Sequence, residues 1–221
     1  MTSENRKIKD LLYEQVARIG KASSSPKRLE LIGLLCQDEK TVEVLAREAE
    51  ISVKLASAHL RELRQARLVE TRREGKYVFY RLADSKVARF WAFLRELAED
   101  RLVELRMALQ EIALAPDELV PSNPAQLMKA ARKGDVVVLD VRPLAEFSAG
   151  HLPFARSIPL DELRQRVGEL ERDRPIAAYC RGPFCLMARD AVEWLRSQGY
   201  RAARLNEGVA EWQQAGQPMR D

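Results

Sequence analysis

Three prolines fall within nine residues of this 221-residue chain, at Pro116, Pro121 and Pro124. A proline lacks a backbone N–H and pushes its predecessor out of the helical region, so a helix has to stop here. Upstream, apolar residues recur at helical spacing almost throughout. Downstream, short β-branched runs alternate with helical stretches. The expected organisation is a mainly helical domain over 1–115, a linker over 116–123 and an α/β domain over 124–221.

Charge follows the same division. Residues 1–115 hold 22 Lys+Arg against 18 Asp+Glu, and the remainder holds 15 of each. The excess concentrates in 52–81, where eight basic residues (Lys54, Arg61, Arg64, Arg67, Arg72, Arg73, Lys76 and Arg81) meet three acidic ones. A phosphate-binding surface has this charge, and so does an ordinary solvated face. The first residues lack the apolar run of a signal peptide, and no stretch approaches the roughly 18 apolar residues of a membrane span. A cytoplasmic protein with no membrane partner is expected. Three cysteines in a reducing compartment read as thiols rather than disulfides.

In the helical half, Ile8, Leu11, Leu12, Val16 and Ile19 mark an amphipathic helix over 4–20. A second helix begins at Pro26 after Ser25, and a short third follows Thr41. A fourth, capped by Ser52, is expected to bury Leu55, Ala56, Leu60 and Leu63 and to leave Lys54, Ser57, His59, Arg61 and Arg64 outside. Two short helices before a capped basic one fit a helix-turn-helix. "LVETRREGKYVFYRL" then reads as a hairpin turning at Gly75, with Arg72, Arg73 and Lys76 gathered at its tip as a wing. A long helix over 85–114 carries Val87, Phe90, Trp91, Leu94, Leu97, Leu102, Leu105 and Leu109 on one face. Such a stripe is expected to face a second copy, and a two-fold dimer suits the two half-sites of a DNA operator.

Across about 5–110 this half resembles the ArsR/SmtB family of winged-helix repressors, carried by "RLELIGLL", "TVEVLAREAEISVKLASAHLRELRQARLVE" and "TRREGKYVFYRL". The resemblance implies a homodimer on a double-stranded DNA operator. It places Ser52, Lys54, Ser57, His59 and Arg61 at the major groove and Arg72, Arg73 and Lys76 on the wing. Bland readings stand beside these: Ser52 as a cap only, His59 packed against the hairpin. Family members that sense metals use cysteine pairs in the third helix or His and Asp on the last. Here the third helix has no cysteine and the last has neither histidine nor cysteine, so no metal is expected. Cys36 reads as a small core residue.

In the second half, "DVVVLDVRP", "ARSIPLDEL", "RPIAAYC" and "RAARLN" each hold a short strand, with helices between, which gives a mainly parallel sheet flanked by helices. Cys180 follows a strand and precedes a helix expected from Cys185, where chemistry on such sheets sits. Backbone amides of 181–186, the bend at Gly182, the cation of Arg181 and the helix N-terminus are all expected to favour a thiolate. Cys180 therefore reads as a nucleophile with a lowered pKa, rather than an inert core thiol or a metal ligand. Cys185 is either a small residue starting the helix or a second working thiol. Asp140 and Arg142 read as supports of this loop or as ion-pair partners, His151 as a turn residue, and Trp91, Trp194 and Trp212 as core anchors.

"VVVLDVRPLAEFSAGHLPFARSIPL", "AAYCRGPFC" and "LNEGVAEWQQAGQP" resemble the rhodanese family of sulfurtransferases, across about 118–219. The resemblance implies an active loop Cys180-Arg181-Gly182-Pro183-Phe184-Cys185 and a persulfide on Cys180. The sulfur would come from thiosulfate or a persulfide and pass to a thiol, with no cofactor. Related phosphatases and arsenate reductases use C-x5-R, and that arginine would fall at Leu186. The whole chain reads as a DNA-binding regulator coupled to reactive sulfur. The alternatives are a sulfurtransferase that uses its first domain for dimerisation, and a catalytically silent rhodanese-fold module.

Overall fold

The computed structural model describes residues 3–112, 120–121, 123–217 and 219. The chain divides into two compact units, Met1–Phe93 and Leu94–Asp221. Of the expected linker, 116–119 and Ser122 lie outside the described residues, as does the end of the helix expected to reach 114.

The first unit runs α1 (Ser3–Ser23), α2 (Pro26–Leu35), β1 (Lys40–Thr41), α3 (Val42–Glu48), α4 (Val53–Gln65), β2 (Val69–Glu74), β3 (Tyr77–Leu82) and the start of α5 (Ser85–Arg101). Its core gathers Leu31, Ile32, Leu45, Leu60 and Leu63, all fully buried. Each such side chain contributes about 1.5–3 kcal/mol, more than a helix cap at about 1 kcal/mol, so the core decides where the helices lie. The caps bear this out. The Ser52 hydroxyl accepts the Leu55 N–H at 3.2 Å, whereas the Ser25 and Thr41 side chains make no capping bond. Leu55, expected inside, is 43% exposed, because it lies one position off the i, i+4, i+7 face of Ala56, Leu60 and Leu63.

The hairpin β2–β3 pairs Glu74 with Tyr77 and closes through Gly75-Lys76, with Gly75 in the left-handed region at φ 56°. β1 adds to β3, so the sheet order is β1-β3-β2. A two-residue strand leaves no alternation to read. On α1, Ile8, Leu11, Leu12 and Val16 remain more than half exposed in the single chain. The helix expected over 85–114 is two, α5 and α6 (Val103–Ile112). The Leu102 N–H to Ala98 O (2.8 Å) and Arg106 N–H to Leu102 O (3.2 Å) bonds carry the chain past the break.

In the second unit, after α6, come α7 (Pro124–Lys133), β4 (Val137–Asp140), α8 (Leu144–Ala149), β5 (Arg156–Ser157), α9 (Leu163–Arg166) with a 3₁₀ turn after it, β6 (Ile176–Tyr179), α10 (Met187–Ser197), β7 (Ala202–Arg204) and α11 (Val209–Gln214). The sheet is wholly parallel, in the order β5-β4-β6-β7. Both faces are covered. Val137, Leu139, Ile176, Ala178 and Cys180 pack under Ala188, Ala191, Val192 and Leu195 of α10. Val136, Val138, Ala177 and Tyr179 pack against Leu127 of α7 and Val209 and Trp212 of α11. This is why the strands read as unbroken apolar runs.

Candidate functional site

β6 delivers Cys180 to its C-terminal end, where the side chain is 2% exposed. The chain bends at Gly182 (φ 118°), turns through a Cys185 N–H to Gly182 O bond of 3.1 Å, and enters α10 at Met187, two residues later than expected. That turn uses up the Cys185 amide, and Pro183 has none to give. The amides that reach sulfur are those of Arg181 and Met187, onto Cys185, and of Ala188, onto Cys180. The Cys180 thiol donates to the Cys185 carbonyl oxygen at 3.5 Å, and the Cys185 side chain packs on the cluster that holds Cys180. The structure thus brings both loop cysteines into one site, built from a strand end and a helix start.

The ionisation differs from expectation. Burial pushes the Cys180 thiol well above its ordinary value, and the neighbouring Cys185 pushes it the same way. Cys185 is lowered to about 6, first by the hydrogen bond from Cys180 and then, against its own desolvation, by the Arg181 and Met187 amides. The expected lowered pKa of Cys180 is therefore corrected: burial raises it, and the lowered thiol of the pair is Cys185. The physical reason is that Cys180 sits too deep, with one helix-start amide, to hold the charge itself.

Arg181 is anchored away from the loop's own backbone, and its charge is the smallest of the causes that lower Cys185. Its guanidinium grips the fully buried carboxylate of Glu146 on α8, with Nη2 to Oε1 at 2.6 Å and Nε at 2.9 and 3.0 Å. Asp140 and Arg142 form a second fully buried pair at 2.7 Å, and Arg142 Nη2 also donates to Gly150 O at 2.8 Å. α8 is thus tied near both ends, to the active loop through Glu146 and to the end of β4 through Gly150. His151 keeps to its turn, its Nδ1 3.0 Å from Phe147 O and its ring stacked on Phe147. Trp212 is buried, while Trp91 and Trp194 are partly so. Phe184 is exposed on the loop.

Four contributors escaped the sequence reading: Glu146, Gly208, Glu211 and Arg204. A Cβ on Gly208 would stand 2.6 Å from Cys180 O and from Gly182 N, so only glycine lets the α11 entry approach the loop. Glu211 accepts the Gly208 N–H at 2.8 Å, lies directly against Gly182, and pairs with Arg95 at 2.6 Å. Arg204 Nη2 donates to Pro183 O at 2.8 Å. The G-x-x-E spacing of 208–211 is a helix-start signal and offered the one available clue. Glu146 and Arg204 carry none.

In the first unit, Ser52, Lys54 and Arg61 lie exposed along α4, and Ser57 and His59 are half-buried. On the hairpin, Arg73 and Lys76 are exposed, with Lys76 Nζ 5.4 Å from the Tyr77 ring centroid. Arg72 does not join them. It is held by Glu39 (Nε at 3.0 and 3.1 Å) and by Glu74 (2.7 Å), and lies over Phe79. Cys36 ends α2 and packs on the core. Among the described residues no group of three or more His, Cys, Asp and Glu is arranged to hold a metal ion, and no helix is long and apolar enough to cross a membrane.

A helix-turn-helix with a wing, followed by a parallel sheet with a cysteine loop at a strand end, defines a class: a regulator joined to a rhodanese-like domain. Residues 25–71 match the bacterial regulatory proteins of the arsR family, and 123–215 match the rhodanese-like domain. The chain is 41% identical over 211 residues to the HTH-type transcriptional regulator Rv0324 of Mycobacterium tuberculosis, covering 96% of this chain and 92% of that one. The chain therefore belongs to the ArsR family of helix-turn-helix transcriptional regulators and carries a C-terminal rhodanese-like domain. It is also 33% identical over 86 residues to a sulfurtransferase of Allochromatium vinosum, covering 38% of this chain and 78% of the relative. Among solved structures it is similar to the homodimeric winged helix-turn-helix domain of Mb0332 from Mycobacterium bovis. There the identity is 41% and the TM-score 0.41, over 43% of this chain and 89% of that one.

Proposed function

We propose that this regulator takes up sulfane sulfur as a persulfide on Cys180, and that the sulfur state of the loop alters binding of a dimer to its DNA operator in the cytoplasm. The observation that carries the reading is the cysteine pair at the junction of β6 and α10, with the Cys180 Sγ 3.5 Å from the Cys185 carbonyl oxygen and Cys185 packed on the cluster that holds Cys180.

That arrangement supplies a base where none was expected. The Cys185 thiolate takes the Cys180 proton as the donor arrives. The Cys180 thiolate then attacks the outer sulfur of a donor such as thiosulfate or a small persulfide, and sulfite or a thiolate leaves. Because Cys185 has become neutral, the incoming anion meets one negative sulfur rather than two. The Ala188 amide and the start of α10 stabilise charge on Cys180 and on the persulfide it becomes. An acceptor thiolate removes the outer sulfur and returns the pair to its resting state.

On the DNA side, α4 offers Ser52, Lys54, Ser57, His59 and Arg61 to the major groove, and Arg73 and Lys76 offer the wing's phosphate contacts. Arg72, engaged by Glu39 and Glu74, supports the hairpin from behind. The bare apolar faces of α1 and of α5, where Phe93 is 64% exposed, are what a second copy would cover.

A single-turnover assay with thiosulfate and with glutathione persulfide tests the sulfur chemistry. Wild type is expected to take one sulfane sulfur per chain from the donor, and Cys180→Ser none. Equal transfer by both would remove the reading. A sulfurtransferase that used its first unit only to dimerise would show no salt-dependent binding to duplex DNA, whereas a DNA-binding regulator loses affinity steeply as salt rises.

A further inference from the structure

The transfer chemistry above uses Cys185 only to hold a proton, yet its position allows more. Its carbonyl oxygen lies 3.5 Å from the Cys180 Sγ, it packs on the cluster that holds Cys180, and the turn closed by Cys185 N–H to Gly182 O fixes that approach. Gly208 and Glu211 press on the loop from the other side at Cys180 O and Gly182, so the loop is packed into this shape. A persulfide built on Cys180 would have its inner sulfur, the Cys180 Sγ, beside a second thiol. Among the described residues no metal-binding cluster competes for the pair.

We propose that Cys185 is the resolving thiol of the loop, converting a Cys180 persulfide into a Cys180–Cys185 disulfide with release of hydrosulfide. The inference rests on the persulfide reading above and deepens it. The Cys185 sulfur attacks the Cys180 Sγ. A bond forms between the two cysteine sulfurs, the bond from Cys180 Sγ to the outer sulfur breaks, and its electron pair leaves with that sulfur. The proton Cys185 held goes to the departing sulfide, giving HS⁻. The two cysteines are oxidised together by two electrons, and the donor's sulfane sulfur is reduced by two. No further oxidant is needed, and a small thiol reopens the disulfide. In this form the loop records a meeting with sulfane sulfur after the sulfur has left. The charge at the start of α10 is also gone, because neither cysteine is then a thiolate.

Arg181 makes the test direct, because trypsin cleaves after it. Cys180 then lies in peptide 173–181 and Cys185 in peptide 182–189, so only a disulfide joins them. Reduced full-length protein is treated with glutathione persulfide without oxygen until loading is complete, then alkylated, digested and weighed. Released sulfide is measured alongside. Wild type is expected to give the joined peptides and one sulfide per chain above the level from Cys185→Ser. Cys185→Ser is expected to give an alkylated persulfide on 173–181 and no joined peptide, and Cys180→Ser neither product. If wild type carries the same stable persulfide as Cys185→Ser, the resolving role is wrong and the persulfide reading stands. If neither protein takes up sulfur at 173–181, the persulfide reading fails and this inference fails with it.

Discussion

At Cys180 and Cys185 two sulfurs compete for a few amides, and depth decides which one ionises. Burial pushes the deeper thiol up, and the shallower one is drawn down to about 6. Iodoacetamide should therefore react first at peptide 182–189, with a rate that rises as pH passes about 6 and levels off above it, because a lowered pKa leaves the thiolate populated at neutral pH. Cys180→Ser removes the largest cause of the lowering and should move that inflection upward; an inflection near about 8.5 in wild type would mean that the pair is not coupled. Asp140 and Arg142 permit a second test at this scale. Asp140→Ala strands a fully buried guanidinium, and urea unfolding is expected to show a loss of about 3–5 kcal/mol. A loss under about 1 kcal/mol would mean that water or another carboxylate replaces the partner. The sequence made the strand-end position of Cys180 and an ion pair of Asp140 with Arg142 readable, because strand-end and i, i+2 relations are local. The proton's place was not readable. It depends on burial under α10 and on Ala188, Met187 and Gly208, which only the folded sheet brings to the loop.

The elements were legible where a period ran long enough. α4 and the β2–β3 hairpin stood out by helical spacing and by Gly75, and the four parallel strands by their apolar runs. β1 was too short to carry a period. α7 was passed over although Asn123, Pro124 and Gly134 mark its ends; the Asn123 side chain accepts the Ala125 and Gln126 amides, and Gly134 closes the helix at φ 78°. The proline was read as a stop, and here it also starts a helix at its first position. On the wing, Arg72 looked equivalent to Arg73 by composition, but residues two apart on a strand share a face and neighbours do not. The phosphate contacts should therefore separate. Arg73→Ala with Lys76→Ala is expected to reduce the dependence of log affinity on log salt by about 1 per residue removed. Arg72→Ala should leave that slope nearly unchanged while lowering the melting temperature. Equal slopes for all variants would take the wing off the DNA.

At the scale of the whole molecule, the single chain leaves Ile8, Leu11, Leu12 and Val16 of α1 uncovered, a stripe too regular to be scattered surface residues. Sedimentation should give a dimer, and Ile8→Glu with Val16→Glu should give a folded monomer with weakened operator binding. A monomeric wild type would contradict this assembly. The link from sulfur to DNA is a coupling free energy, and such couplings typically change affinity on the order of 5–150-fold. The direct measurement uses a duplex that the full-length protein itself selects from a random pool. Its affinity is determined by fluorescence anisotropy with and without glutathione persulfide, for wild type and Cys180→Ser. The expected result is a change of at least about 5-fold for wild type and none for Cys180→Ser. Unchanged affinity in wild type that is verified to carry the sulfur modification, or an equal change in Cys180→Ser, would contradict the account.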